Sequence, residues 1–216
     1  MDSAERNLLI EAYRTGPTLI REALRGIDNR LLDQRPAGSE WSIREIGHHV
    51  VDAEVMAAAR LRRLLAEAAP SIPPYDEAEF ARRLHYERPL DSALDLLTAS
   101  RNANADLLEV LSDADWERQG THPEFSAYSV EYLVRRAADH CSQHVEQIGR
   151  TFAAVAGASE DRHERWTRAL AAADRLRDKF GESAVSLAAS MRGKFRERTH
   201  ENPTGLPGKK PGETAP

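Results

Sequence analysis

The sequence lacks the features that mark several classes of protein. Cys141 is the only cysteine in 216 residues, so no disulfide framework can form within one chain, and a reducing compartment fits. No apolar run approaches the roughly 20 residues that a membrane-spanning helix needs. Residues 1–6 lack the basic start and apolar run of a signal peptide. We therefore expect a cytoplasmic protein without a membrane partner.

Charge and chemical motifs exclude further classes. The formal net charge is −5, which gives no support for nucleic-acid binding. We find no glycine-rich phosphate loop and no recognisable Ser/His/Asp spacing. Charged residues make up 30% and apolar residues 41% of the chain, a balance typical of a soluble helical protein.

Apolar residues recur with helical periodicity over four long segments, which predicts an all-α four-helix bundle. In the first segment we expect a break at residues 15–17, because Pro17 disfavours helix at the residue before it. A short helix over 77–84 lies in the long connection between the second and third segments, which allows those two helices to run in the same direction. The four predicted helices cover residues 4–27, 42–65, 90–111 and 129–157.

The second helix has a clear start. Ser42 followed by Glu45 forms a capping box, and Trp41 is placed to pack back on Ile46. Ser129 is the expected N-cap of the fourth helix.

Two histidines interrupt the apolar stripe of the fourth helix. His140 and His144 are one turn apart, so both rings can bind one metal ion. The alternative is a pair of core histidines that hydrogen-bond to neighbouring polar groups. Cys141 adjoins His140, but adjacent helix positions do not face each other, which argues against a catalytic Cys–His pair. The stripe consists of Leu133, Ala137, His140, His144 and Ile148.

The second helix carries another histidine pair. Its spacing favours His49 as the inward-facing residue without excluding His48, which is rotated by about 100°. The ordinary alternative is one surface histidine and one satisfied core histidine. Asp52 is a candidate catalytic residue that could orient a ligand ring or accept a proton, and a surface carboxylate fits equally well.

Four other polar residues are expected to be exposed. His85 lies near a helix end and His122 in a loop, so neither is predicted to bind metal. Asn102 and Asn104, in the middle of the third helix, are assigned to a solvated face; the alternative is that they line a polar cavity.

Two stretches together resemble a known family. Residues 40–54, EWSIREIGHHVVDAE, are similar to the first motif of the DinB/YfiT-like superfamily, a tryptophan and helix start followed by H-x-x-D-x-E. Residues 140–148, HCSQHVEQI, resemble its H-x-x-x-H-x-x-Q-I motif. The resemblance extends over about residues 4–156.

The resemblance implies an up-down-down-up bundle, often dimeric, with three histidines on one divalent metal ion. Alignment on Trp41 places the first ligand at His49 rather than His48. The other two ligands are then His140 and His144.

A three-histidine site leaves a coordination position for water or substrate. Imidazole suits several metals, and we expect zinc or nickel. Members of the resembling family are described both as metal-dependent hydrolases and as thiol S-transferases. Our first hypothesis is transfer of a small cellular thiol to an electrophile. The alternatives are hydrolysis by metal-bound water and a non-catalytic metal-binding stress-response or interaction protein.

The remaining expectations concern domains and partners. We divide the chain into a bundle (1–157), a helical C-terminal extension (158–195) and a flexible tail (196–216). A small-molecule substrate and a homodimer are predicted, whereas nucleic acid is not.

Overall fold

The computed structural model describes residues 1–37, 41–125 and 128–156, and most of them are helical. Four long helices form the bundle, which confirms the predicted fold class. The predicted extension (158–195) and tail (196–216) lie outside the described residues. The elements are α1 (Ser3–Leu24), α2 (Asn29–Leu32), α3 (Ile43–Ala66), α4 (Glu77–Arg83), α5 (Asp91–Glu109), α6 (Asp113–Trp116), β1 (Gln119–Gly120), β2 (Tyr128–Ser129) and α7 (Val130–Val155).

The long helices occupy the corners of a square in the order α1, α7, α3, α5, and each packs mainly on its two neighbours. α1 and α7 run in one direction, and α3 and α5 run in the other. The bundle is therefore up-down-down-up. The contacts that fix these directions are Arg21–Asp95 and Arg14–Asp106 for α1 and α5, Gly47–Leu90 and Arg62–Asn104 for α3 and α5, and Met1–Arg135 and Gly16–Cys141 for α1 and α7.

The predicted helix starts are confirmed. The Ser42 side chain accepts from the Glu45 backbone N–H, and the Glu45 carboxylate accepts from the Ser42 N–H. The Ser129 hydroxyl accepts from the Tyr132 N–H at 3.1 Å. These caps satisfy backbone donors that have no partner within the helix, and they fix where α3 and α7 begin.

α1 continues through Pro17, so the predicted break at residues 15–17 is wrong. Proline has no N–H to donate to the carbonyl four residues earlier, which belongs to Tyr13. The guanidinium of Arg101 donates to that carbonyl instead, with 3.0 Å between Nη1 and the oxygen. A long-range hydrogen bond thus replaces the one that proline removes.

The core consists of two apolar clusters, one toward each end of the bundle. Between them lies a buried polar layer, which we define as Tyr13, Glu54, Arg101 and Asn104. The assignment of Asn104 to a solvated face is wrong, because Asn104 is fully buried, whereas Asn102 is exposed. Arg101 and Asn104 are three residues apart and share the inward face of α5.

A two-stranded antiparallel hairpin precedes α7, with Gln119 opposite Ser129 and Gly120 opposite Tyr128. Sequence reasoning predicted only a loop here. His122 is half-buried and stacks on Tyr128, with 5.1 Å between ring centroids, so its predicted exposure is wrong. The side chain of His85 is 75% exposed, as predicted.

Gly16 permits the close approach of α1 and α7. A Cβ atom at this position would lie 2.9 Å from Cys141 Sγ and 3.2 Å from Cys141 Cβ. Gly-to-Ala changes inside helices usually stabilise by about 0.5–1 kcal/mol. We expect Gly16→Ala to destabilise instead, by about 1–3 kcal/mol, because the methyl group overpacks the interface. Chemical denaturation measures the difference in free energy of unfolding.

The matched control is the double variant Gly16→Ala/Cys141→Ala, which removes the Sγ atom that the new methyl group meets. We expect it to be more stable than the sum of the two single changes predicts. A Gly16→Ala protein as stable as the wild type would contradict the proposed close contact.

Candidate metal centre

Three imidazoles from two helices converge at one point in the bundle. Nε2 of His140 lies 3.2 Å from Nε2 of His49 and 2.9 Å from Nε2 of His144. His49 and His144 are buried and His140 is half-buried. Among the described residues, these three form the group of His, Cys, Asp and Glu side chains able to share a metal ion, with ligand atoms within 4.8 Å of one another.

The bundle geometry brings these rings together. His140 and His144 are one turn apart on α7, and their ring centroids lie 4.2 Å apart. α3 packs against α7 and supplies His49 from the other side. The indole of Trp41 lies edge-on to His49, with 4.9 Å between centroids, so the residue just before the α3 cap forms one wall of the site.

A glutamine orients one of the rings. Nδ1 of His144 lies 2.6 Å from Oε1 of Gln147. Because the amide oxygen can only accept, Nδ1 carries the proton and Nε2 keeps its lone pair. An imidazole that donates its other N–H to a neighbour is the usual arrangement of a metal-binding histidine.

Burial also favours the neutral form that binds metal. Desolvation lowers the pKa of His140 well below its usual value, and the nearby His144, His49, Arg136 and Arg101 lower it further. A neutral imidazole offers a lone pair, whereas a protonated one does not. His140 is therefore in its ligand form at neutral pH.

The three side chains fit a divalent cation. Nitrogens about 2.0–2.1 Å from a tetrahedral zinc ion lie about 3.3–3.4 Å from one another. The separations of 3.2 and 2.9 Å are about 0.1–0.2 and 0.4–0.5 Å shorter than that spacing, and all three ligand atoms lie within 4.8 Å of one another. Three imidazoles are a ligand set that suits zinc, nickel, copper and iron.

His48 faces elsewhere, although it is also buried. Its Nε2 donates to the carbonyl of Arg88 at 2.9 Å, and its ring stacks on Tyr86 with 5.5 Å between centroids. The alternative of one surface and one core histidine at residues 48 and 49 is therefore wrong, because both are buried. The preference for His49 over His48 as the residue facing the cluster agrees with this geometry.

Asp52 and Tyr86 form a second polar element beside the cluster. Oδ2 of Asp52 and the hydroxyl of Tyr86 are both buried and make no well-formed hydrogen bond within the described part of the chain. Burial, together with the adjacent Asp52 carboxylate, raises the pKa of Tyr86. Trp41 lies edge-on to Tyr86 at 6.3 Å, which joins this pair to the wall beside His49. Sequence reasoning missed Tyr86, which follows a short helix and carries no motif.

Comparison with known proteins identifies relatives of this arrangement. A family model described as the DinB superfamily matches residues 12–148, in agreement with the predicted resemblance. The "Putative metal-dependent hydrolase OB0782" of Oceanobacillus iheyensis is 32% identical over 132 residues, which cover 61% of this chain and 77% of that protein. The "Putative metal-dependent hydrolase BcerKBAB4_2443" of Bacillus mycoides is 28% identical over 132 residues, covering 61% and 76%.

A solved structure shares the fold. YfiT from Bacillus subtilis, described as "a probable metal-dependent hydrolase with an unusual four-helix bundle topology", superposes with a TM-score of 0.66 at 22% identity. The match covers 70% of this chain and 87% of YfiT. In the described ranges, no helix is both long and apolar enough to cross a membrane.

The thiol of Cys141 is inaccessible. Cys141 is 0% exposed, and burial raises the pKa of its thiol, so little thiolate forms near neutral pH. We expect no measurable reaction of the native protein with a chromogenic disulfide reagent at pH 8, and one equivalent of reaction after unfolding in guanidinium. Rapid labelling of the native protein would contradict this account of the site.

Proposed function

The chain belongs to the DinB superfamily, and from that membership we propose that it is a metal-dependent enzyme. The proposed ligands of the metal ion are the Nε2 atoms of His49, His140 and His144. The observation that carries this proposal is their convergence from two helices to separations of 2.9 and 3.2 Å. Three protein ligands leave a coordination position for water or substrate, which is typical of catalytic rather than structural sites.

We propose hydrolysis as the reaction, and the names of the two relatives support this choice. When bound, a divalent ion lowers the pKa of water at its open coordination position toward neutrality. Asp52, one turn from His49 on α3, would be the residue that accepts a proton from water activated in this way. Tyr86 lies against Asp52 and keeps bulk solvent from the carboxylate.

Thiol transfer to an electrophile is the second candidate. With three neutral imidazoles as ligands, a bound divalent ion would keep its full charge, which would favour an anionic ligand such as a thiolate. Because Cys141 is buried, the thiol in this reaction comes from a small molecule rather than from the protein.

The proposal also covers the metal, the location, the oligomeric state and the domain division. We propose zinc or nickel because both suit imidazole ligands. The single cysteine supports a reducing, cytoplasmic location, and the homodimer rests on the family resemblance alone. The division at residues 157 and 195 is likewise kept as a proposal.

The first test is metal content. Protein purified without a histidine tag is expected to contain about one divalent ion per chain, measured by elemental analysis. His144→Ala should weaken binding by more than the roughly 10–100-fold cost of an outer-shell change, because it removes a ligand. His85→Ala is the matched control, since its side chain is exposed and should leave metal content unchanged. Equal metal content in the wild type and His144→Ala would refute the site.

The second test separates the candidate reactions. We expect the metal-loaded protein to hydrolyse an activated ester, p-nitrophenyl acetate, without added thiol, and to lose this activity with a chelator or in His144→Ala. Turnover of an electrophile that requires added thiol would favour the second candidate. A metal-loaded protein that is inactive in both assays would support the non-catalytic alternative.

The third test addresses Asp52. Asp52→Asn keeps the shape of the side chain but cannot accept a proton, so kcat for ester hydrolysis should fall by about 10²–10⁴-fold with metal content unchanged. Asp106→Asn, an exposed carboxylate on α5, is the control. An Asp52→Asn protein with wild-type kcat would show that Asp52 does not accept the proton.

A further inference from the structure

The polar layer crosses the centre of the bundle. Its four members, Tyr13, Glu54, Arg101 and Asn104, are at most 3% exposed. Burying an ion pair costs desolvation energy, and well-packed apolar residues of similar volume often stabilise a protein as much or more. The presence of this layer therefore calls for an explanation other than stability.

One arm of the layer spans one diagonal of the square. Arg101 on α5 reaches α7, where Nη2 donates to the carbonyl of Ala137 at 2.7 Å and lies 3.5 Å from Sγ of Cys141. On the way, its guanidinium carbon lies 4.0 Å from the centroid of the Tyr13 ring. α5 and α7 are opposite corners, so this side chain passes through the middle of the bundle.

The other arm spans the second diagonal. The hydroxyl of Tyr13 on α1 donates to Oε1 of Glu54 on α3 at 2.6 Å. Nδ2 of Asn104 donates to the same carboxylate oxygen at 3.0 Å. Where the diagonals cross, Nε of Arg101 forms an ion pair with Oε2 of Glu54 at 2.5 Å. All four long helices are thus tied together at one level.

This crossing lies close to the histidine cluster along both ligand-bearing helices. Glu54 follows His49 by five residues, about 7.5 Å along α3. Ala137 and Cys141 lie on either side of His140 on α7. Because Arg101 contacts Glu54 on α3 and Ala137 on α7, it fixes the axial position of α3 relative to α7. It does so close to the point where the imidazoles meet.

The precision that metal binding requires in the relative position of α3 and α7 favours directional polar contacts over apolar packing. Metal–ligand distances tolerate deviations of about 0.2 Å, whereas a shift of one residue along a helix is about 1.5 Å. A slip of half a residue, about 0.75 Å, is already several times that tolerance. Apolar cores accept changes in packing at modest cost, so they specify the shift less strictly than directional bonds.

We propose that Arg101 and Glu54 are positioning residues for the metal centre. They hold α3 and α7 at the shift that lets His49 join His140 and His144. The inference rests on the proposed function, because it presupposes that the three histidines bind a metal ion.

The experiment separates stability from metal affinity. In the double variant Arg101→Met/Glu54→Leu, apolar side chains replace the ion pair. We expect its Tm to fall, because the carbonyl and hydroxyl of Tyr13 and the amide of Asn104 each lose a hydrogen-bond partner. Its Kd for zinc, measured by competition with a chromophoric chelator, should weaken by about 10–100-fold, the range typical of outer-shell changes. Leu108→Ala, in the apolar cluster away from the site, should lower Tm and leave the Kd unchanged.

Arg101→Lys is a second variant in case the double variant does not fold. It keeps a positive charge opposite Glu54 but lacks the planar fork that reaches α7. We expect it to weaken zinc binding in the same direction.

A coupling test identifies the cause of the loss. In a His49→Ala background, the Arg101 and Glu54 changes should weaken zinc binding no further, because His140 and His144 share one helix and do not depend on the shift of α3. A full additional loss in that background would overturn the inference. So would a double variant, or Arg101→Lys, that binds zinc as tightly as the wild type. A wild-type protein that does not bind zinc would refute the proposed function and the inference together.

Discussion

The constraint on which the structure depends is the approach of three imidazole nitrogens from two antiparallel helices. Nε2 of His140 lies within 3.2 Å of two other ring nitrogens. Neutral rings cannot all accept at such a point, so they need a proton or a cation between them. Burial disfavours the protonated form of His140, and Gln147 directs the lone pair of His144 inward. This combination is what supports the proposed metal site over histidines that merely fill a core.

The bundle topology explains why this approach is possible. The long connection between α3 and α5 lets these helices run in the same direction, which leaves α3 antiparallel to α7 and brings His49 to the level of His140. The polar layer lies next to that level and links opposite corners of the square. Pro17 belongs to the same arrangement, because the carbonyl of Tyr13 that it leaves without a helical partner accepts from Arg101. The proline in α1 and the polar layer are thus connected by the hydrogen bond from Arg101 to Tyr13.

Sequence reasoning succeeded where the signal is local. The four-residue spacing of His140 and His144 predicted their shared face, and the Ser42 cap predicted the start of α3. The convergence of His49 with them was expected from the family resemblance, since spacing alone left His48 open.

The polar layer was not predicted, because its contacts join residues 36 to 91 positions apart. A rule that assigns charged and amide residues to the surface places Arg101 and Asn104 outside. The burial of Arg101 and Asn104 is favourable because α1, α3 and α7 supply their hydrogen-bond and ion-pair partners. The proximity of Asp52 and Tyr86 was not predicted either, because these residues are also far apart in the sequence.

The central claim is that one ion is bound by His49, His140 and His144. An anomalous difference map, measured at the zinc absorption edge from crystals grown with zinc, tests it most directly. We expect one strong peak about 2.0–2.1 Å from the Nε2 atoms of all three histidines. A map with no peak there, or with the three rings turned away from a peak elsewhere, would contradict the account.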